Sequence, residues 1–506
     1  MRKAAWIGGG LLAALIALLV IVPAFIDVGT FKRTYLPLVE ESLHRSVDVG
    51  EVRLSLIPTP SIRVSKLTVS DGPAFSSSPF FSAAQLQLRL KLWPLLLGRF
   101  EITEFVLDKP VMNLSKQPDG GFKYADNGGK KTTTARQEIK KKPSAQKSQD
   151  PAAVPFILPN RMRIRDGQLN FETGGQKPVK VNGIDLSLQD FSSGQPFPYR
   201  ASFDYPGLKT ISVEGQLRYE AEQSTLTLKN NELKAQDLVL PLEGSIVSLS
   251  TVPRVHLTAS SEQLDAKPVF QILSVLGIAP SDTAVSGLMG LRLTVTGPSH
   301  SLLTELRGRF KDVRVDGKRA LKGNLTGDVF IKLPLGGHSP LTQRLQGDGK
   351  LTARDGELTN VNLIKKVQQA TGFIGLSQNE RREATTFKTL EGEFTIKGGV
   401  AEFTRIHLIN PQMEVNGAGT MTLNRPTLDM GIEAALSNQV SARAASGRTI
   451  SFFKDNQGRI VVPLKVSGSV ENPSVSLDSQ KMIQRGMPGS TEKRMGAFFR
   501  QLFQRR

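Results

Sequence analysis

Most of this chain alternates apolar and polar residues with a period of two. Leu86, Leu88, Leu90 and Leu92 interleave with Gln87, Arg89 and Lys91, the pattern of a strand buried on one face only. The same period runs through Val47/Val49, Val52/Leu54/Leu56, Ile62/Val64, Leu67/Val69, Leu291/Leu293/Val295, Val329/Ile331, Phe394/Ile396, Met413/Val415, Leu428/Met430/Ile432 and Val475/Leu477. Gly, Asn and Pro punctuate nearly every interval, as turns require. Two phrases, Met162–Phe171 around Asp166-Gly167 and Leu351–Leu358 around Asp355-Gly356, read as a faint internal repeat, the first a hairpin on an Asp-Gly turn.

Helical spacing is rare. Pro268–Ile278 and Val361–Phe373 are two windows, of a kind that plugs the end of a sheet, and Phe31–Arg45 is a short amphipathic third. Ala4–Ile26 is apolar on every face, and its roughly 23 residues would span about 34 Å as a helix. It reads as an uncleaved anchor carrying Trp6, Leu11, Leu15, Leu19 and Phe25, with a cleavable signal peptide as the alternative. At the other end Met495, Phe498, Phe499, Leu502 and Phe503 fall at i, i+3, i+4, i+7 and i+8 beside Arg494 and Arg500. That basic amphipathic helix suits a membrane surface or a protein partner; packing back on the sheet is the other reading.

Charge changes the picture less than its size suggests. The formal net charge is +19, but residues 126–150 hold about +4 of it and the tail from Ser479 about +6. Residues 126–155, rich in Lys, Thr, Ser, Gln and Pro, cannot repay their ordering entropy and read as a disordered linker. No nucleic-acid motif accompanies the charge, so no nucleic-acid partner is expected. With no cysteine there is no disulfide framework, thiolate site or cysteine nucleophile. His44, His256, His300, His338 and His407 lack ligand spacing, and no phosphate loop, nucleophile elbow or dinucleotide fingerprint is present. Asp455–Gly458 resembles part of a calcium loop without its distal Glu and reads as a turn. Neither an enzymatic activity nor a cofactor or metal is expected.

So many strands form a sheet that must curl or fold over, closing a dry core or leaving an apolar trough. The expected fold is mainly β: a transmembrane helix, then a long, curled, mostly antiparallel sheet groove with few short helices. The organisation expected is an anchor (1–30), an N-terminal segment (31–125), the linker (126–155), the groove (156–478) and the basic tail (479–506). Candidate groove residues are Leu86, Leu88, Leu90, Leu291, Leu293, Val295, Phe394 and Ile396.

Several phrases, in this order, resemble the AsmA family of bacterial envelope proteins. They are Trp93–Gly98, Leu107–Leu114 and Asp119–Gly121 in the first part, then Leu351–Leu363, Gly392–Leu423, Gly458–Gly468 and Asn472–Leu477. The resemblance implies an inner-membrane anchor with a periplasmic body and a chorein-like start at 31–125. It also implies a β-groove that carries phospholipid between the inner and outer membranes, without catalytic residues. The alternative is a scaffold or assembly factor for outer-membrane proteins, with an envelope protein docked at the tail.

Overall fold

The computed structural model describes Glu40 and residues 45–55, 59–70, 79–96, 101–115, 159–172, 179–277, 279–317, 321–335, 339–359, 361–371, 384–444 and 453–484. The anchor, the short helix before Arg45 apart from Glu40, the linker and the tail beyond Gln484 lie outside these residues, and so do all the anchor and tail residues named above. The chain divides into two compact units, 1–235 with 243–251, and 236–242 with 252–506.

Unit 1 is a sheet built from β1 (Ser46–Asp48), β2 (Val52–Ser55), β3 (Ser61–Ser70), β4 (Phe81–Leu90), β5 (Ile102–Asp108), β6 (Val111–Ser115), β7 (Arg161–Glu172), β8 (Val179–Leu188), β9 (Pro196–Asp204), β10 (Ile211–Glu220) and β11 (Thr225–Ala235). β1 and β2 share one side of β3, and β5 and β6 share one side of β4. All pairings are antiparallel except those of β5 and β6 with β7. A parallel step cannot be closed by a tight turn. Between Ser115 and Arg161 the sequence supplies 45 residues, enough for such a connection.

Strand β12 (Leu238–Val247) is divided between the units. Unit 2 continues with β13 (Arg254–Asp265), helix α2 (Ala266–Val275), β14 (Thr283–Ser286), β15 (Leu288–Pro298), β16 (Leu302–Gly317), β17 (Leu321–Leu335) and α3 (Leu341–Arg344). Then come β18 (Gln346–Leu358), α4 (Leu363–Thr371), β19 (Thr385–Lys397), β20 (Val400–Ile409), β21 (Met413–Thr422), β22 (Thr427–Leu436), α5 (Asn438–Ala444), β23 (Val461–Ser469), β24 (Asn472–Leu477) and α6 (Ser479–Gln484). From β15 to β24 every strand pairs antiparallel with the next, an uninterrupted meander. The two helices expected from periodicity are α2 and α4. Asp265 caps α2 by accepting a hydrogen bond from the Lys267 N–H at 3.0 Å. In unit 1, α1 (Leu92–Leu96) follows β4.

One reading is corrected. Asp166-Gly167 does not turn a hairpin; it lies inside the continuous strand β7, as Asp355-Gly356 lies inside β18. Asp166 (φ 49°) and Asp355 (φ 48°) adopt the left-handed region, and each marks a skip in register with a neighbouring strand. An aspartate tolerates that conformation, so Asp-Gly makes a bulge here instead of a turn. Asp312 (φ 56°) sits in a third such skip, between β16 and β17. Bulges of this kind bend the strands that carry them.

Candidate functional site

Side chains on directly opposed residues share a face, so the register traces that face across each unit. In unit 1 one row runs Leu54, Ile62, Leu88, Phe105, Met162, Leu188, Tyr199, Gly215. Beside it runs Val52, Val64, Leu86, Leu107, Ile164, Leu186, Ala201, Val213, Leu233. At the β1–β4 end the face is packed: Leu90 is 5% exposed in a cluster with Val47, Val49, Ile62, Val64 and Val69, against which Leu86, Leu88 and Leu95 lie half-buried. Burial pushes the Tyr199 hydroxyl from its ordinary 10.0 up to about 12. Because the folded value is the higher one, stability present below about pH 10 should fall as pH rises toward 12. A spectrophotometric titration, in which one of the five tyrosines ionises last, checks this together with melting temperatures over that range.

In unit 2 the rows are longer. One joins Ala259, Leu293, Leu306, Ile331, Gly347, Ile396, Ala401, Met421, Leu428, Gly468 and Pro473. The next joins Leu291, Gly308, Val329, Gly349, Phe394, Phe403, Gly419, Met430, Val466 and Val475. Val295 lies on the same face opposite Leu257. All five unit 2 candidates, Leu291, Leu293, Val295, Phe394 and Ile396, are thus brought onto one apolar surface.

That surface curls. Leu321 and Leu325 of β17 and Pro473 of β24 line one cavity of about 390 Å³. Laid flat, strands seven places apart would be about 34 Å apart, too far to share it. The glycines in the rows assist the curl because neighbours close over them. The Phe394 ring covers Gly349, where an added Cβ would come within 2.5 Å of it, and the β22 backbone at Asp429 and Met430 closes against Gly419 (φ 155°). The cavity walls are Leu, Ile, Val, Met, Phe, Ala, Gly and Pro apart from Glu391, whose carboxylate pairs with Arg405 at 3.4 Å. Phe394 and Phe403 stand together at the wall, ring centroids 5.6 Å apart.

Helix α4 contributes Leu363 to the cavity wall. Val367 is fully buried, and Leu363 and Ile364 pack with Phe387, Leu408, Val415, Ile432, Leu464 and Met482 of α6 in the main core of the unit. Two side chains fix where this helix starts. Asn362, 1% exposed, accepts from the Lys365 N–H at 2.9 Å, while buried Thr385 of β19 accepts from the Leu363 N–H at 2.8 Å and donates to the Val361 carbonyl. Asn362→Ala should cost about 1 kcal/mol, the usual worth of such a cap, read as a lower midpoint in urea.

The opposite face of unit 2 is polar and laced across strands: Lys332–Glu305 at 3.0 Å, Arg309–Asp328 at 3.2 Å, Lys350–Glu393 at 2.8 Å. The hydrogen bond from Lys350 holds the Glu393 carboxyl below its ordinary range. A larger hollow of about 1020 Å³ lies on this side, lined by Arg292, Arg307, Arg309 and Lys350 among Glu262, Glu305, Asp328, Asp348 and Glu393. A twisted sheet is a saddle, concave on both faces along different diagonals, so both hollows are expected of it. With its charges mixed and largely paired, the polar hollow has no evident selectivity. The smaller, apolar cavity is the better candidate site.

Among the described residues no group of three His, Cys, Asp or Glu could hold a metal ion, and no helix is long and apolar enough to cross a membrane. His407 is engaged by Asn416 at 2.7 Å, and Asp455 shapes its turn by accepting from the Gln457 and Arg459 N–H groups. Sequence reading missed most of the cavity wall, including Leu351, Leu390, Ile406 and Leu408. Their alternation was visible, but nothing in it says that β17 and β24 face each other.

No curated protein and no solved structure matches the chain. The sequence model of the AsmA family matches residues 1–266, more than half of the chain, and the chain belongs to the AsmA family.

Proposed function

We propose that this protein holds phospholipid acyl chains against the apolar sheet face and moves them between the inner and outer membranes of a bacterial envelope, from an inner-membrane anchor with its body in the periplasm. Family membership and the extent of the sheet are consistent with a lipid-transfer or envelope role. The observation that carries the finer reading is the cavity of unit 2, walled by apolar side chains and continuous by register with the rows running to β13. An acyl chain has no hydrogen bonds to satisfy, so a wall whose single charged side chain, Glu391, is paired with Arg405 suits it where a polar ligand would lose its hydration uncompensated. The work is carriage, without a reaction.

Photocrosslinking residues placed at Leu293, Phe394 and Leu88 should capture phospholipid in cells, and the same probe at Arg292, on the polar face, should not. Absence of capture at all three apolar positions would overturn the reading. A mature N-terminus at Phe25 would remove the anchor from it. The scaffold alternative predicts instead that deleting Met495–Arg506 abolishes a protein contact and leaves lipid capture untouched.

A further inference from the structure

Unit 1 presents one large aromatic side chain to solvent for no reason of its own stability. Trp93 is 77% exposed, on a five-residue helix whose position is nevertheless fixed. Leu95, two residues on, packs against the core of β1–β4, and the strands on either side of α1 are tied by the Lys91 N–H donating to the Glu101 carbonyl at 3.0 Å. Leu92 (36%) is exposed next to it in the same helix. Two large apolar side chains therefore share the exposed tip formed by α1, and at its base Lys91 pairs with Glu101 at 2.9 Å.

We infer that this tip inserts into the interface of a lipid bilayer and so fixes the orientation of unit 1 at the membrane. An indole has an apolar body and one N–H, which places it at the boundary between acyl chains and headgroups, and the neighbouring Lys91 suits anionic headgroups. A protein partner is the less favoured occupant because two exposed side chains on a five-residue helix offer far less area than a stable protein interface buries. The length of chain before unit 1 favours the bilayer as well. Only residues 27–45 separate the apolar run Ala4–Ile26 from β1, which keeps unit 1 within about 65 Å of a bilayer that the run occupies. The inference rests on the anchor reading, and is independent of what the unit 2 cavity carries.

The chain has two tryptophans, Trp6 and Trp93, so each can be made the sole reporter in the full chain. The Trp6→Phe and Trp93→Phe proteins are reconstituted in phosphatidylethanolamine and phosphatidylglycerol vesicles whose acyl chains are brominated near the glycerol end. In Trp6→Phe protein, Trp93 should show blue-shifted emission, lose most of it to bromine, and be shielded from iodide in the water. If Trp93 keeps the emission of a hydrated indole while Trp6 is quenched in the Trp93→Phe protein, the inference is overturned and the anchor reading stands. If neither is quenched, both fall.

Discussion

Gly392→Leu should fill the apolar cavity of unit 2 and leave the fold intact. Gly392 stands in β19 between Leu351 and Ile406 and lines the cavity, and a Cβ built on it meets nothing within 4 Å. Its backbone is not in the left-handed region, so a Cβ there meets neither strain nor collision and the rest of the side chain extends into the cavity. Removing a glycine from a strand interior also removes some entropy from the unfolded chain. Melting temperature should hold or rise, while lipid capture by a crosslinker at Met430 of the same cavity should fall roughly tenfold, the equivalent of about 1.4 kcal/mol of binding. Undiminished capture would show that the cavity is not where acyl chains lie. Gly347 supplies the contrast on the same face. Its added Cβ would collide with the Phe330 carbonyl oxygen, which is fixed in the β17 backbone, so Gly347→Ala should destabilise by about 1–3 kcal/mol.

The second large effect is expected in unit 1. Glu104 of β5, 3% exposed, is held between Arg89 of β4 at 2.6 Å and Arg163 of β7 at 3.2 Å. Replacing both arginines with methionine would leave a buried carboxylate without a countercharge. The cost should be about 3 kcal/mol, at the low end for buried pairs because both guanidiniums are themselves about a third exposed. Adding Glu104→Met to the double variant should recover most of the loss, since an apolar triad of similar volume often replaces an ionic one without penalty. Urea denaturation followed at β-sheet circular dichroism reads both steps. If the triple variant were no more stable than the double, the loss would reflect packing and not the stranded charge. The triad also bears on topology: it ties β4 and β5 to β7, across the parallel pairing of β5 with β7.

The two expectations differ in what could be read from the chain. Leu88, Leu293 and Phe394 could be placed on apolar strand faces because side-chain direction follows from period two alone. The helices α2 and α4 showed themselves by a change of period. Gly392, in contrast, looked like any strand glycine, and Glu104 like any exposed carboxylate of a half-polar strand. What each does depends on neighbours about 15 residues or more away, and in the case of Arg163 on a strand 59 positions further along the chain. The Asp166-Gly167 and Asp355-Gly356 pairs show the same limit. A left-handed aspartate before glycine serves a turn or a bulge equally well, and only the pairing of neighbouring strands selects between them.

The sequence by itself therefore determined that the chain is a succession of half-apolar strands with few helices, that it belongs with the AsmA family, and which side chains share a face within each strand. These are local properties, set by the two-residue repeat and by turn residues. Tertiary structure alone decided that β17 and β24 wall one cavity, that α4 adds Leu363 to it, that the Phe394 ring covers Gly349, and that β5 and β6 meet β7 in parallel. Curl and strand order arise from twist and bulges accumulated over many strands, a sum that no single stretch of residues records.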